Sequence, residues 1–259
     1  MESTPEQKRN RLLVILSGIF ITNALLAEII GAKIFSAEST VGLGPANLNI
    51  LGFTMSFDLT AGVLIWPVVF ITTDLINEYF GKPGVKKISY LTVALIAYAF
   101  VVIFLAIKLP PAQWWRELPG PDGTTFNMEL AFDRVLGQGL RIIIGSLTAF
   151  LVGQLVDVFV FQRLRRATGS RMLWLRATGS TLVSQLVDSF VVLFIAFYNV
   201  FPTQQIVAIG ITNYIYKFFV AILLTPVIYA GHSIIDNYLG RDYAKRLADQ
   251  AAAESKDMV

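Results

Sequence analysis

The sequence predicts an all-α membrane protein, a six-helix transmembrane bundle with both termini cytoplasmic, and three observations predict it. Hydrophobic residues make up 55% of the 259 and charged residues only 15%, where a soluble domain carries about a quarter, and mean hydropathy is +0.62. Six apolar stretches reach the roughly 20 residues needed to cross a hydrocarbon core of about 30 Å. Basic residues cluster in alternate connections, as the positive-inside bias requires.

The elements follow in order. Residues 1–11, MESTPEQKRNR, form a polar cytoplasmic tail, and the apolar run behind it is too long for a signal h-region, so no cleavable signal is expected. Residues 12–238 form a single domain, with spans expected over 12–35, 59–80, 86–108, 136–161, 177–201 and 206–231. Between the first two spans, the alternation of Leu48, Ile50, Phe53, Met55 and Phe57 predicts a short hairpin resting on the bundle. Between the third and fourth, Trp114 and Trp115 just past a helix end fit an interfacial anchor. Residues 239–259 form a second cytoplasmic tail.

Fifteen basic residues fall on the side of the termini: Lys8, Arg9 and Arg11; Lys82, Lys86 and Lys87; Arg163, Arg165, Arg166, Arg171 and Arg176; and Arg241, Lys245, Arg246 and Lys256. The opposite side has only Lys108, Arg116 and Arg134. The net charge of +3 therefore reflects loops, and no nucleic-acid partner is expected. With no cysteine and a single histidine, His232, the chain has no thiolate or multi-histidine metal site, and no cofactor is expected. No Ser/His pair or paired-aspartate protease motif is present either, so an enzyme is not expected.

The most informative polar residues lie inside the spans. Residues 149–160, AFLVGQLVDVFV, and 180–191, STLVSQLVDSFV, agree at eight of twelve positions at an offset of 31, and the agreement includes a glutamine and an aspartate. An intramembrane carboxylate costs several kcal/mol unless paired or hydrated, and here that cost is met twice. Arg141, Gly145, Ala149, Gly153 and Asp157 recur every four residues and share a helix face, as do Arg176, Ser180, Ser184 and Asp188. Small residues at this spacing let helices approach closely in lipid, either within the protomer or across a homodimer. Consecutive spans run antiparallel, so the two copies are inverted, a recurring transporter design with the site at the repeat interface.

Lys217 falls near mid-depth of the last span, on a face with Asn213 and Tyr214, and an ion pair with Asp157 or Asp188 is expected there. In the second span Asp74 lies one turn deeper than Glu78, which is expected near the headgroups. Asn23 lies at mid-depth of the first span, with Glu28 and Lys33 as a rim pair towards its outer end. His232 reads as an interfacial residue.

Taken together, FITTDLINEYFG at 70–81, GSLTAFLVGQLVDVFVFQRLR at 145–165, GSTLVSQLVDSFVVLFIAF at 179–197 and NYIYKFFVAILLTPVIY at 213–229 resemble the queuosine precursor transporter family, also called the vitamin uptake transporter family. The resemblance runs through nearly all six helices in order. It implies a multi-pass protein of the bacterial inner (plasma) membrane that imports 7-cyano-7-deazaguanine, 7-aminomethyl-7-deazaguanine or queuine. It also implies a bundle resembling the substrate-binding component of energy-coupling-factor transporters, working without their ATPase. The family's polar positions fall here on Asn23, Asp74, Gln154, Asp157, Gln185, Asp188, Tyr214 and Lys217.

The chemistry of such a ligand agrees. A deazaguanine offers a ring N–H and an amine that one carboxylate can accept together, a carbonyl that needs a donor, and a flat face for aromatic stacking. Asp157, Asp188 and their glutamines would contact the base. Lys217 would balance charge or bind the carbonyl, and Asp74 would be a second acceptor or a gating group. The energy source is open at this stage: a proton on Asp74 or the Lys217 pair, or facilitated entry with metabolic trapping. The alternative is a substrate-binding subunit for a separate ATPase, for which only Ala27-x-x-x-Gly31 suggests a docking surface.

Overall fold

The computed structural model describes residues 4–119, 123–137, 139–168 and 172–254. Arg171 and Lys256, counted above on the basic side, lie outside the described residues, as do the ends of both tails. Helix α1, Pro5–Ile30, opens with a capping box in which Thr4 and Gln7 each accept from the other's amide, and with Pro5 in its first turn. The helix therefore takes in most of what the sequence suggests is tail.

An outer layer of small elements follows α1. Strand β1 (Ile34–Ser36) leads into a one-turn helix α2 (Ala37–Thr40), then β2 (Leu48–Ile50), β3 (Phe53–Met55) and β4 (Asp58–Thr60). β2 and β3 form the hairpin that the alternation predicts, registered Leu48 to Met55 and Ile50 to Phe53. Its two-residue turn places both Leu51 and Gly52 at positive φ, the conformation that matches strand twist in tight hairpins. β1 pairs antiparallel with β4. The buried Glu38 carboxylate pins this layer, accepting from the backbone amides of Phe57 at 2.8 Å and Ala46 at 3.2 Å. The Phe57 amide above all holds the Glu38 carboxyl below its usual range.

A 3₁₀ turn, Ala61–Leu64, then leads into α3, Trp66–Ile107, which has 42 residues. At 1.5 Å per residue it would run about 63 Å, twice the hydrocarbon thickness. It does not run straight. Gly81 sits at φ 65°, ψ −172°, a conformation that only glycine adopts without strain. A Cβ on Gly84 would lie 3.6 Å from Cγ2 of Ile76, eight residues earlier, whereas eight helical residues span about 12 Å. The chain folds back at Gly81 into two legs, 66–80 and 82–107, with Pro83 in the first turn of the second leg, where its missing N–H costs nothing.

Helix α4 (Gln113–Arg116), strands β5 (Glu117–Pro119) and β6 (Thr125–Asn127), and α5 (Met128–Leu136) make a second outer layer. The main helices α6 (Leu140–Thr168), α7 (Leu173–Phe197) and α8 (Thr203–Leu223) follow. Helix α9 (Thr225–Leu239) continues after a break where Pro226 enters the first turn, and α10 (Arg241–Glu254) follows Gly240, itself at φ 88°. Among the described residues, five helical stretches are long and apolar enough to cross a membrane: α1, α3, the stretch ending in α6, most of α7, and α8.

α6 and α7 pack antiparallel along their small-residue ridges. A Cβ on Gly145 would sit 3.1 Å from the Val192 carbonyl, and one on Gly153 would sit 3.5 Å from the Asp188 Cβ. The ridge is therefore buried within the protomer. Ala27 is likewise used inside the fold: a Cβ on Gly62 would meet the Ala27 carbonyl at 2.5 Å. The start of α1 and helix α10 lie at one end of the bundle. Lys8 stands over the Tyr238 ring, Arg9 stands over Phe80, and Ala251 of α10 packs on Gly81.

Candidate substrate site in the bundle interior

Helices α3, α6, α7 and α8 enclose a cavity of about 30 Å³, room for roughly two waters. Each helix contributes for a local reason. The first leg of α3 turns Trp66, Phe70 and Thr73 inward at a three- to four-residue spacing. The ridges of α6 and α7 bring Gln154 and Asp157 against Ser184, Gln185 and Asp188, and α8 supplies Lys217.

The two aspartates are placed by each other's repeat. Asp157 packs against α7, where the Ser184 hydroxyl donates to its Oδ1 at 3.2 Å. Asp188 packs against Gly153 of α6, which has no side chain to offer, and is paired instead with Lys217 at 2.5 Å. The Asp188–Lys217 pair keeps about a fifth of each side chain exposed, whereas Asp157 is 6% exposed. Gln154 accepts from the Thr73 hydroxyl at 3.2 Å. Two acceptors at the cavity, Oδ2 of Asp157 and Oε1 of Gln185, have no hydrogen-bond partner among the described residues. Buried acceptors of this kind normally find a donor. Trp66 and Phe70 are stacked, with centroids 5.9 Å apart, and Phe150 stands tilted 5.6 Å from Trp66.

Five of the eight residues picked out from the sequence therefore meet here: Gln154, Asp157, Gln185, Asp188 and Lys217. Asp74 does not line the cavity but lies behind it, beside Asp157 and 1% exposed. Asn23 and Tyr214 are elsewhere. The Asn23 amide donates to the Ile19 carbonyl of its own helix, and the Tyr214 ring packs edge-on against Phe218. Glu28 is buried, accepting from Ser146 of α6, while Lys33 is exposed.

Sequence reasoning missed a second cluster, at the end of the bundle that carries the termini. Glu78 does not have the cheap solvation expected of it: it is 6% exposed and bridges Arg165 at 3.0 Å and Arg176 at 2.8 Å, both even more buried. The four-residue spacing of Arg176, Ser180, Ser184 and Asp188 already placed Arg176 on the inward ridge. The neighbouring Tyr79 hydroxyl donates to Asp236 at 2.7 Å and meets Nδ1 of His232 at 3.0 Å, and His232 is buried. Burial pushes the His232 imidazole down to about 4, with the Arg176 and Arg165 charges adding to the effect. These residues border an open vestibule of about 570 Å³, closed on one side by α9 and α10.

Residues 60–231 match the family described as "Putative vitamin uptake transporter". The chain belongs to that family. It is 32% identical over 195 residues to the "Probable queuosine precursor transporter" of Bacillus subtilis (strain 168), a match covering 74% of this chain and 80% of that relative. It is 31% identical over 188 residues to the protein of the same description from Haemophilus influenzae (strain ATCC 51907 / DSM 11121 / KW20 / Rd), covering 70% and 69%. To the "Queuosine precursor transporter" of Escherichia coli (strain K12) it is 30% identical over 207 residues, covering 79% and 81%. No solved structure matches the chain. Membership makes the protein a transporter and not an enzyme. Its bacterial relatives and helical spans place it, as a multi-pass protein, in the inner membrane, since the bacterial outer membrane is crossed by β-barrels.

Proposed function

We propose that this protein imports 7-deazaguanine precursors of queuosine by alternating access, with the α3–α6–α7–α8 cavity as its substrate site. The observation that carries the reading is the convergence of two aspartates, two glutamines and a lysine on one aromatic-walled cavity that retains two unpartnered acceptors. A deazaguanine supplies what those acceptors lack. Its ring N–H and exocyclic amine would donate to Asp157, on the oxygen that Ser184 leaves open, and to Gln185. Its carbonyl would take a donor from a glutamine amide or from Lys217, and its bicyclic face would lie against Trp66 and Phe70. A cavity that holds about two waters must widen to admit the base, which fits a site that closes between two access states.

Counting the legs of α3 as separate spans gives six, with the basic end of the bundle cytoplasmic, in the arrangement that the family resemblance implies. The ATPase-coupled alternative loses half of its one sequence cue, because Ala27 is covered by the chain's own 3₁₀ turn at Gly62.

The test is rescue of queuosine in tRNA in a strain unable to synthesise the precursors, with the cyano base, the aminomethyl base and queuine supplied in turn. Asp188→Asn is expected to abolish uptake of labelled precursor while the protein remains folded and inserted. Full uptake by that variant at normal expression would refute the site.

A further inference from the structure

Asp74 takes no part in the cavity, yet it is the least exposed carboxylate among the described residues, and neither of its oxygens has a hydrogen-bond partner within the protein. An acid so placed in a membrane interior resolves its cost by holding a proton rather than a charge. Among the described residues no cation is paired with it. The charged groups nearest it are Asp157 of α6, Glu78 on the next turn of α3, and Arg176 of α7, which is engaged by Glu78. Of the other elements packed on α3, α9 brings His232, bonded to Tyr79, α10 brings Asp249 near Glu78, and α1 brings Arg9 over the Phe80 ring.

What matters is where the three acids sit. Asp157 lines the inner cavity, and Glu78 lines the vestibule at the other end of the first α3 leg. Asp74 lies between them, beside Asp157 and four residues from Glu78 on the same helix face. The geometry points to proton coupling: Asp157, Asp74 and Glu78 form a line of carboxyls joining the two water-accessible spaces, and Asp74 carries one proton inward with each molecule of cargo. The inference rests on the transport reading above but not on the identity of the base.

The step balances simply. With the cavity open outward, the Asp74 carboxylate takes a proton from water by way of Asp157. With the vestibule open inward, it gives that proton to water past Glu78, and no other bond changes. Glu78 is already ion-paired with Arg165 and Arg176, so the proton passes it to water rather than stopping there.

The experiment uses the full chain in proteoliposomes with the membrane potential clamped. With an alkaline interior, the wild type is expected to accumulate labelled 7-cyano-7-deazaguanine towards about tenfold per pH unit, the limit for one proton per neutral solute. Asp74→Asn is expected to exchange label with unlabelled base at near wild-type rates but to accumulate none above equilibrium. Wild-type uptake indifferent to the pH gradient, or accumulation by Asp74→Asn, overturns the proposal. Infrared spectra of the purified protein at neutral pH give a readout that needs no substrate: a protonated-carboxyl band that Asp74→Asn removes and Ser89→Ala leaves. If the wild type moves no deazaguanine at all, the substrate reading fails alone, and presence or absence of that band still decides for or against the proton site.

Discussion

The two copies of the repeated segment carry the same glutamine and aspartate but end in different electrostatic states. In the α6 copy the aspartate, Asp157, is nearly sealed and held by α7 hydroxyls, Ser184 at 3.2 Å and Ser180 one turn before it. In the α7 copy the aspartate, Asp188, faces Gly153, receives nothing from α6, and is met by Lys217 of α8. The antiparallel packing sets each carboxylate against the small residue that precedes the other by four positions. The one difference at that position, glycine in one copy and serine in the other, decides which aspartate needs an outside cation. Inverted repetition therefore yields two unlike groups: one acceptor with a free oxygen for cargo, and one ion pair that can open and close.

The largest effect that would break this contrast comes from Asp157→Asn. Removing the charged acceptor for one of the base's N–H donors is expected to lower precursor affinity by about 10- to 100-fold, at about 1.5–3 kcal/mol for a charge-assisted bond, measured as binding to purified protein. Next is Lys217→Met, which leaves Asp188 unpaired. A fully buried pair broken this way costs about 3–5 kcal/mol, and the partial exposure here brings the expectation down to about 2 kcal/mol, read as loss of thermal stability in detergent. Adding Asp188→Asn to that variant should restore stability but not uptake. If the double variant is no more stable than the single one, the pair is not what holds Asp188.

Ser184→Ala should act on Asp157 alone, weakening binding by about tenfold for one lost hydroxyl bond to a carboxylate. Gly153→Ser would make the copies alike. Its Cβ finds ordinary van der Waals space beside Asp188, so folding should be nearly unchanged while the new hydroxyl competes with Lys217 and shifts the KM for uptake a few-fold. The smallest effect concerns Glu38, a carboxylate outside the bundle with full donors. Its carboxyl is held low chiefly by the Phe57 amide, so its contribution is present above the ordinary glutamate range near pH 4.3 and is lost as pH falls below it. Hydrogen exchange at Phe57 should accelerate on acidification, and Glu38→Gln should remove that dependence.

The convergence of Asp157, Asp188 and Lys217 was legible because periodicity fixes which residues share a helix face, and small residues mark the face that packs. The hairpin at Leu48–Met55 was legible because alternation has no other use in so short a segment. Asn23 was misplaced because depth along a helix says nothing about its rotation, and α1 turns that side chain back on its own backbone. Phe70 and Phe150 were invisible for the same reason: among many intramembrane aromatics, only tertiary rotation separates the walls of a cavity from the lipid face. The solvation of Glu78 was misjudged because the end of a span was read as open to water, whereas the turn at Gly81 is roofed by α10 and both of the acid's arginines arrive from later helices.

The pairing of Asp157 with a residue 27 positions downstream, and of Asp188 with one 29 downstream, has a consequence for biogenesis. During synthesis α6 reaches the translocon before Ser184 exists, and α7 before Lys217 exists. Each helix must wait beside the next with its acid unmatched, so insertion of this half of the molecule is coupled in sequence. A ribosome stalled between α7 and α8 should leave a nascent chain that slips back out or is degraded.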